Sequence, residues 1–398
     1  MPTDFFTGLL FLLLPVAAGT SWWLARKKYR KESGSYVDDV APEYYKGLRY
    51  IINEQPDKAI EVFLKLLEVD SETVEVHLAL GNLFRRRGEV DRAIRIHQNL
   101  IARPSLSSEQ RSQALIELGV DYLRSGLLDR AEVLFEGLLA TPYKSRAARY
   151  LVEIYEEEND WDKTIECARI WQQNSSEILN KRIAHYYCEK ADKLFTSKTD
   201  EKIDEKLIRE LIKKSLKEDP DSVHASILEG QFEMKQGNYK AAIKSFRRIE
   251  KQAPEFVSEV LTYMKTCYRK SGRSDEFLAY LRKLPATQAG TNQIIELSDF
   301  IEENEGGESA IRFLVDKIDQ QPSVRMLDRL VDLSLTPEDE HPDESKLKCF
   351  KRLTEKLVEV KSACKCNHCG YSARSIYWQC PACKNWDTIK PIQGIISE

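Results

Sequence analysis

Four cysteines near the C-terminal end carry the most specific chemistry in this sequence. Cys366 and Cys369 form one C-x-x-C pair, Cys380 and Cys383 a second, with ten residues between the pairs. Two thiolates three positions apart can grip one ion from a single turn, and two such turns complete a tetrahedral sulfur shell suited to zinc or iron. Gly370, directly after the first pair, permits a positive φ, and Pro381 stiffens the second turn. The competing readings are two disulfides or four unrelated thiols. Reducing surroundings disfavour disulfides, so the compartment of this end decides between them. Cys167, Cys188, Cys267, Cys349 and Cys364 are scattered. Cys364 lies two residues from a ligand and could exchange with it, but lacks a partner at knuckle spacing. His368, between the first two thiols, reads as a solvent-facing turn residue and not as a fifth ligand.

The compartment follows from the opposite end. Phe5–Ala25 carries no charge and includes the run Leu9-Leu10-Phe11-Leu12-Leu13-Leu14. Its length matches the roughly 20 residues that a helix needs to cross a bilayer. Pro15 within it is tolerated better in a membrane helix than in a soluble one, and Trp22 and Trp23 fall where an interfacial aromatic belt belongs. Arg26, Lys27, Lys28, Arg30 and Lys31 follow at once, against only Asp4 on the other flank. The positive-inside rule then places the bulk of the chain in the cytoplasm, where thiols stay reduced. A cleaved signal peptide ending near Val16-Ala17-Ala18 is the rival reading, but it lacks a basic n-region.

Between these ends the composition is that of a soluble, helix-rich protein. The 398 residues are 31% charged with a net charge of −4, and 42% are hydrophobic. Near balance of charge gives no argument for a nucleic-acid partner. The basic run at 26–31 is explained by topology and headgroup contact.

Internal repeats set the architecture of the middle. Gly81-Asn82-Leu83-Phe84 is followed by Gly88 and then by Ala93-Ile94. The register recurs at Gly119, Tyr122, Gly126 and Ala131, and again at Gly230, Gly237, Ala242 and Phe246. Weaker copies begin at Gly47, Tyr155 and Tyr268, and a further one ends at Ala310-Ile311. This is the tetratricopeptide pattern of about 34 residues per helix pair. Small residues at Gly81 and Ala93 let two antiparallel helices approach, Phe84 fills the layer between repeats, and Gly88 ends the first helix in a left-handed cap. The expected fold class is all-α: a tetratricopeptide-repeat solenoid with an N-terminal transmembrane helix and a small C-terminal metal knuckle. The expected divisions are an anchor at 1–25, a basic juxtamembrane linker at 26–42, the solenoid at 43–335, an acidic linker and helix at 336–361, and the metal-binding domain at 362–398. The short link before the knuckle suggests that it packs on the last repeats.

Asn82, Arg85 and Arg86 fall at i, i+3 and i+4, on the helix face that lines the groove of such a solenoid, and are the expected partner-binding residues. A solvated basic face neutralised by nearby glutamates is the plainer reading. His77, His97 and His185 lack metal-ligand spacing and read as packing or surface residues. No catalytic residue is expected. The chain contains no G-x-x-x-x-G-K-[ST], G-x-G-x-x-G, H-E-x-x-H or G-x-S-x-G pattern, and a closed four-thiolate site offers no open coordination position.

Three segments carry a family resemblance: LFLLLPVAA at Leu10–Ala18, GNLFRRRGEVDRAIRIHQ at Gly81–Gln98, and YWQCPACKNWDTIKPIQG at Tyr377–Gly394. They resemble the lipopolysaccharide assembly protein B family over nearly the whole chain. That resemblance implies an inner-membrane protein facing the cytoplasm with a rubredoxin-like domain. In it Cys366, Cys369, Cys380 and Cys383 would hold one iron ion, with zinc as the alternative. It further implies an adaptor that restrains lipopolysaccharide synthesis by promoting degradation of the deacetylase LpxC by the membrane protease FtsH. Such an adaptor answers to an inner-membrane lipopolysaccharide regulator and gathers lipopolysaccharide synthesis proteins. The knuckle taken alone also admits an electron-transfer protein, and the repeats alone a passive scaffold for envelope enzymes.

Overall fold

In a tetratricopeptide array each helix pair must end its first helix sharply and bring its second helix close, and the sequence does both by local means. The computed structural model describes residues 42–69, 73–196, 204–284, 286–320, 322–334 and 364–392, together with Trp22 and Lys351. Apart from those two residues and position 42, the expected anchor at 1–25 and the linkers at 26–42 and 336–361 lie outside the described residues. Among the described residues, no helix is long and apolar enough to cross a membrane.

Residues 42–52 form α1. Then come α2 (Pro56–Val69), α3 (Val74–Arg86), α4 (Val90–Ile101), α5 (Ser108–Arg124), α6 (Leu128–Leu138), α7 (Lys144–Glu158) and α8 (Trp161–Gln173). The series continues with α9 (Asn180–Thr196), α10 (Glu205–Glu218), α11 (Val223–Lys235) and α12 (Tyr239–Gln252). A 3-10 turn at Pro254–Phe256 leads into α13 (Val257–Lys270), α14 (Ser274–Lys283), α15 (Ala286–Glu305), α16 (Gly307–Gln320) and α17 (Val324–Ser334). Contacts divide the chain into two units, residues 1–160 with 166–176 and residues 161–165 with 177–398.

The turns follow the expected chemistry. Gly88 has φ +81° and Gly237 +77°, and Asn159 takes the same role at +55°. After α3 the Gly88 N–H donates to the Arg85 carbonyl and the Glu89 N–H to the Phe84 carbonyl, the paired bonds of a Schellman cap. The same two bonds recur after α5, α7, α11 and α13. Close approach is equally regular. A Cβ built on Gly119 would stand 2.7 Å from the Phe135 ring, and one on Gly230 only 2.3 Å from Phe246. At Gly81 the neighbouring side chain is His97 instead of phenylalanine, again 2.3 Å from such a Cβ.

In the first unit, Phe63 and Phe84 are buried with Ala59, Val76, Leu80 and Ala93. In the second unit a larger core gathers Phe246, Phe256, Val260, Leu261 and Met264, with Trp378 packed against it. The C-terminal segment is a small ribbon of β1 (Cys364–Cys366), β2 (Ser372–Ala373) and β3 (Ile389–Pro391), antiparallel in the order β2-β1-β3. Cys364 pairs with both Ala373 and Pro391, so β1 is central.

Candidate metal centre

Each C-x-x-C pair is held by one turn closed in the same way. In the first, the Cys366 N–H donates to the Tyr371 carbonyl and the Gly370 N–H to the Cys366 carbonyl. In the second, the Cys380 N–H donates to the Asn385 carbonyl and the Lys384 N–H to the Cys380 carbonyl. Gly370 has φ +79° and Lys384, four residues after Cys380, +57°. The left-handed position expected at Gly370 therefore recurs in the second turn without a glycine.

The two turns bring all four thiols together. Cys366, Cys369, Cys380 and Cys383 place their sulfurs within 4.8 Å of one another, the only such His/Cys/Asp/Glu group among the described residues. Sγ of Cys366 is 3.8 Å from Sγ of Cys383, and Sγ of Cys369 is 3.7 Å from Sγ of Cys380. A tetrahedron with metal–sulfur bonds of about 2.3 Å has edges of about 3.8 Å, so the donor set fits one four-coordinate ion. All four are free thiols, as are the other described cysteines. Cys366 and Cys380 are buried while Cys369 is exposed.

The electrostatics point the same way. Burial opposes ionisation of Cys366. The Thr388 hydroxyl and the backbone N–H groups of Cys369 and His368 outweigh it and pull the thiol down to about 5. Backbone and side-chain hydrogen bonds from Asn385 also lower Cys383. Crowded against these groups, Cys369 is pushed up despite a hydrogen bond from the Tyr371 backbone. Four thiols that cannot all ionise side by side need a cation. Cys364 is buried in β1 outside the group, and burial raises its thiol to about 11. His368 is exposed, with Nδ1 3.3 Å from Nδ2 of Asn385, and is not part of the sulfur shell.

Among the described residues, the ring and ion contacts of the ribbon fall on earlier helices and not on the last repeats. Within the second unit, Trp386 packs against Trp161, Tyr186 and His185, with ring centroids 6.5, 5.6 and 5.0 Å away. Trp378 stacks on His224 at 4.4 Å and lies 5.8 Å from Phe256. His185 Nε2 is 2.8 Å from the Asp387 carboxylate, and its Nδ1 is 3.1 Å from Nδ1 of His224. Asp387 has φ +57°, and its carboxyl is lowered by the His185 imidazole against the opposing cost of burial. Lys390 lies 3.3 Å from Glu255 and over the Phe256 ring. The expectation of packing on the last repeats rests on the short link between the expected helix at 346–360 and the ribbon. The aromatic and histidine partners that bury Trp378 and Trp386 sit instead on α8, α9, α11 and the Pro254–Phe256 turn.

Sequence reasoning missed this face. From the sequence His185 reads as a packing or surface residue, and no spacing singles out His224 or Asp387. The available signal was a pair of tryptophans flanking the second knuckle, too many large apolar rings for so small a module to bury alone.

The expected partner-binding residues lie in the first unit. Arg85 forks between Glu117 and Asp121 of α5, at 2.7 Å to each, and also donates to the Asn82 side-chain oxygen. Arg146 of α7 reaches the same Glu117, and His97 of α4 reaches Asp121 at 2.5 Å. Burial opposes ionisation of Glu117, and Arg85 and Arg146 outweigh it, holding its carboxyl low. Arg86 is exposed.

Comparison with known proteins agrees with this two-part construction. The profile of the rubredoxin metal binding domain matches residues 365–391, and tetratricopeptide repeat profiles match 76–109 and 206–255. The chain is 36% identical to lipopolysaccharide assembly protein B of Escherichia coli strain K12 over 388 residues, covering 97% of this chain and 98% of that protein. It is 31% identical to the protein of the same name from Haemophilus influenzae over 397 residues, covering 97% of this chain and 98% of that one. With repeat helices, a four-thiol ribbon and end-to-end similarity to both, the chain belongs to the lipopolysaccharide assembly protein B family.

Proposed function

We propose that this protein is a non-enzymatic adaptor acting in lipopolysaccharide assembly, held at the inner membrane by residues 1–25 with its bulk on the cytoplasmic side. Its repeats present the deacetylase LpxC to the membrane protease FtsH, under the control of an inner-membrane lipopolysaccharide regulator, and gather lipopolysaccharide synthesis proteins. The observation that carries this reading is the full-length similarity to proteins named for lipopolysaccharide assembly, joined to a fold made of repeat helices that bind other polypeptides. Tethering raises the rate at which a membrane protease and its client meet on the same scaffold. Cys366, Cys369, Cys380 and Cys383 hold one iron ion as a structural staple for the ribbon, and the exposed Arg86 beside Asn82 and Arg85 offers a partner contact. Depletion of the protein should lengthen the half-life of LpxC in cells with active FtsH and leave it unchanged in cells without the protease. An unchanged half-life in both would leave a passive scaffold. Metal analysis of the purified chain should give one iron per molecule; zinc at that stoichiometry would refute the iron assignment.

A further inference from the structure

In the first unit, one position of the repeat changes its chemistry from helix to helix in a readable order. Gly47, Gly81 and Gly119 turn toward Phe63, His97 and Phe135 of their paired helices, which lie 2.7, 2.3 and 2.7 Å from a Cβ built on each glycine. These contacts fix the rotation of α1, α3 and α5. At about 100° per residue, the side chain five places after each glycine points about 140° away from the paired helix. On α7 Val152 stands in the glycine's place, three residues before Tyr155 as Gly81 is before Phe84. The equivalent residues are therefore Ile52, Arg86, Arg124 and Glu157, and all four are exposed.

The fold uses none of these charges. The side chains of Arg86, Arg124 and Glu157 make no hydrogen bond, ion pair or ring contact among the described residues. The acids that α5 turns toward α3 and α7 are already engaged, Glu117 by Arg85 and Arg146, and Asp121 by Arg85 and His97. Ile52 is 79% exposed, with Leu48 and Ile51 partly buried on the same helix. The four helices are successive neighbours. Leu48 of α1 packs in one core with Val76 and Leu80 of α3, and the ion pairs on Glu117 link α3, α5 and α7. Packed helices lie about 8–10 Å apart, and an extended chain rises about 3.3 Å per residue. One helix of the row therefore matches about three residues of an extended ligand.

We propose that this row binds an extended segment of a partner protein that carries an apolar, two acidic and one basic residue at intervals of about three. The apolar residue lies on Ile52, the two carboxylates pair with Arg86 and Arg124, and the cation meets Glu157. An anionic lipid surface would satisfy the two arginines, but Glu157 at the end of the row repels it, so the charges favour a segment of mixed sign. The proposal rests on reading the repeats as a polypeptide-binding surface and deepens it by naming the chemistry of the bound segment. It does not depend on the client being a protease substrate.

The test uses the full-length, metal-loaded protein in neutral detergent. The probe is a capped ten-residue peptide in a glycine–serine frame, with leucine, glutamate, glutamate and lysine at every third place, made in both chain directions. Calorimetric titration at low salt should show one direction binding about tenfold tighter than a scramble of the same composition. The double variant Arg86→Gln, Arg124→Gln should lose that tenfold with its melting temperature unchanged, because the fold uses neither side chain. Ile52→Ser should lose about fivefold. Glu157→Lys should reverse the preference at the last place from lysine to glutamate. Equal binding of the scramble, or full retention of binding in the double variant, would overturn the proposal. A double variant that keeps the peptide but loses binding to phosphatidylglycerol vesicles would make the row a lipid contact instead. Failure here leaves the LpxC half-life experiment untouched, so the two readings fail separately.

Discussion

His97 and His185 are both buried imidazoles on repeat helices, yet each unit uses its histidine for a different purpose. In the first unit His97 occupies the place that Phe135 and Phe246 fill elsewhere, pressed against a glycine of the preceding helix. Its Nδ1 meets Asp121, which also holds Arg85, so three helices share one buried charge network. Nε2 of His97 has no hydrogen-bond partner among the described residues, so the ring serves for shape on one edge and for a hydrogen bond on the other. His185 in the second unit instead lies between the rings of Trp378 and Trp386 and meets Asp387. Thus the first histidine ties repeat to repeat, while the second ties a repeat to the metal ribbon. A buried polar group costs stability unless fully partnered, and only the identity of the partner separates a core residue from a docking residue.

The largest test of that difference is loss of the metal. A structural tetrathiolate contributes folding energy on the order of 10 kcal/mol. Stripping the ion, or the substitution Cys380→Ser, should unfold residues 364–391 and expose Trp378 and Trp386. Hydrogen exchange should then rise in the ribbon and in α9 and α11, and stay unchanged in α3 to α6. Increased exchange across α3 to α6 as well would erase the distinction between the two units.

Asp121→Asn strikes the other side. Removing one partner from a buried charge network costs about 3–5 kcal/mol, and here Arg85 loses an ionic partner and His97 its carboxylate. Denaturant unfolding followed by exchange should show the loss confined to the first unit, with the ribbon still protected. A variant as stable as the parent would mean that the network is no more than shape packing.

A smaller effect is expected from His185→Ala, which removes one buried hydrogen bond to Asp387 and the ring between two tryptophans. About 1–3 kcal/mol of docking should be lost, seen as a weaker near-ultraviolet signal from Trp378 and Trp386 with metal content unchanged. If metal is lost in step with docking, the ribbon does not fold independently of its face.

The smallest effect sharpens the second unit by pH. Burial holds His224 well below its ordinary value, so its contribution is complete above about pH 6.5 and fades as pH falls toward the folded-state value. Glu189 acts in the opposite sense. Its carboxyl, raised to about 7, contributes stability below about pH 4.5 that is lost as pH rises through 7. The two offset each other in the parent between pH 7 and 5. Glu189→Gln should raise the melting temperature at pH 7 and make it fall more steeply on acidification, by a few degrees. A profile parallel to that of the parent would show that Glu189 is not desolvated.

Much of this protein is written in local spacing. The helix-ending turns at Gly88, Gly126 and Gly237 follow from a backbone conformation that glycine adopts at little cost. Two C-x-x-C turns predict four converging sulfurs because each turn supplies its own half of the shell. The small-residue rhythm at Gly81, Gly119 and Gly230 announces paired helices, since close approach leaves no room for a Cβ. The helix-ending turns depend on neighbours within a turn or two of chain, and the glycine contacts and the sulfur shell on the next helix or turn along the chain, so residue type and spacing determine them. Tertiary structure decided the rest. Arg85 stands on a face where a groove cation was expected, but α5 supplies two carboxylates more than 30 residues away and draws it inward. Trp378 and Trp386 had to bury their rings somewhere, and no spacing rule says that residues 161, 185, 224 and 256 would meet them. That meeting depends on how successive repeats stack within the second unit, a sum of small rotations set by packing and not by any one motif.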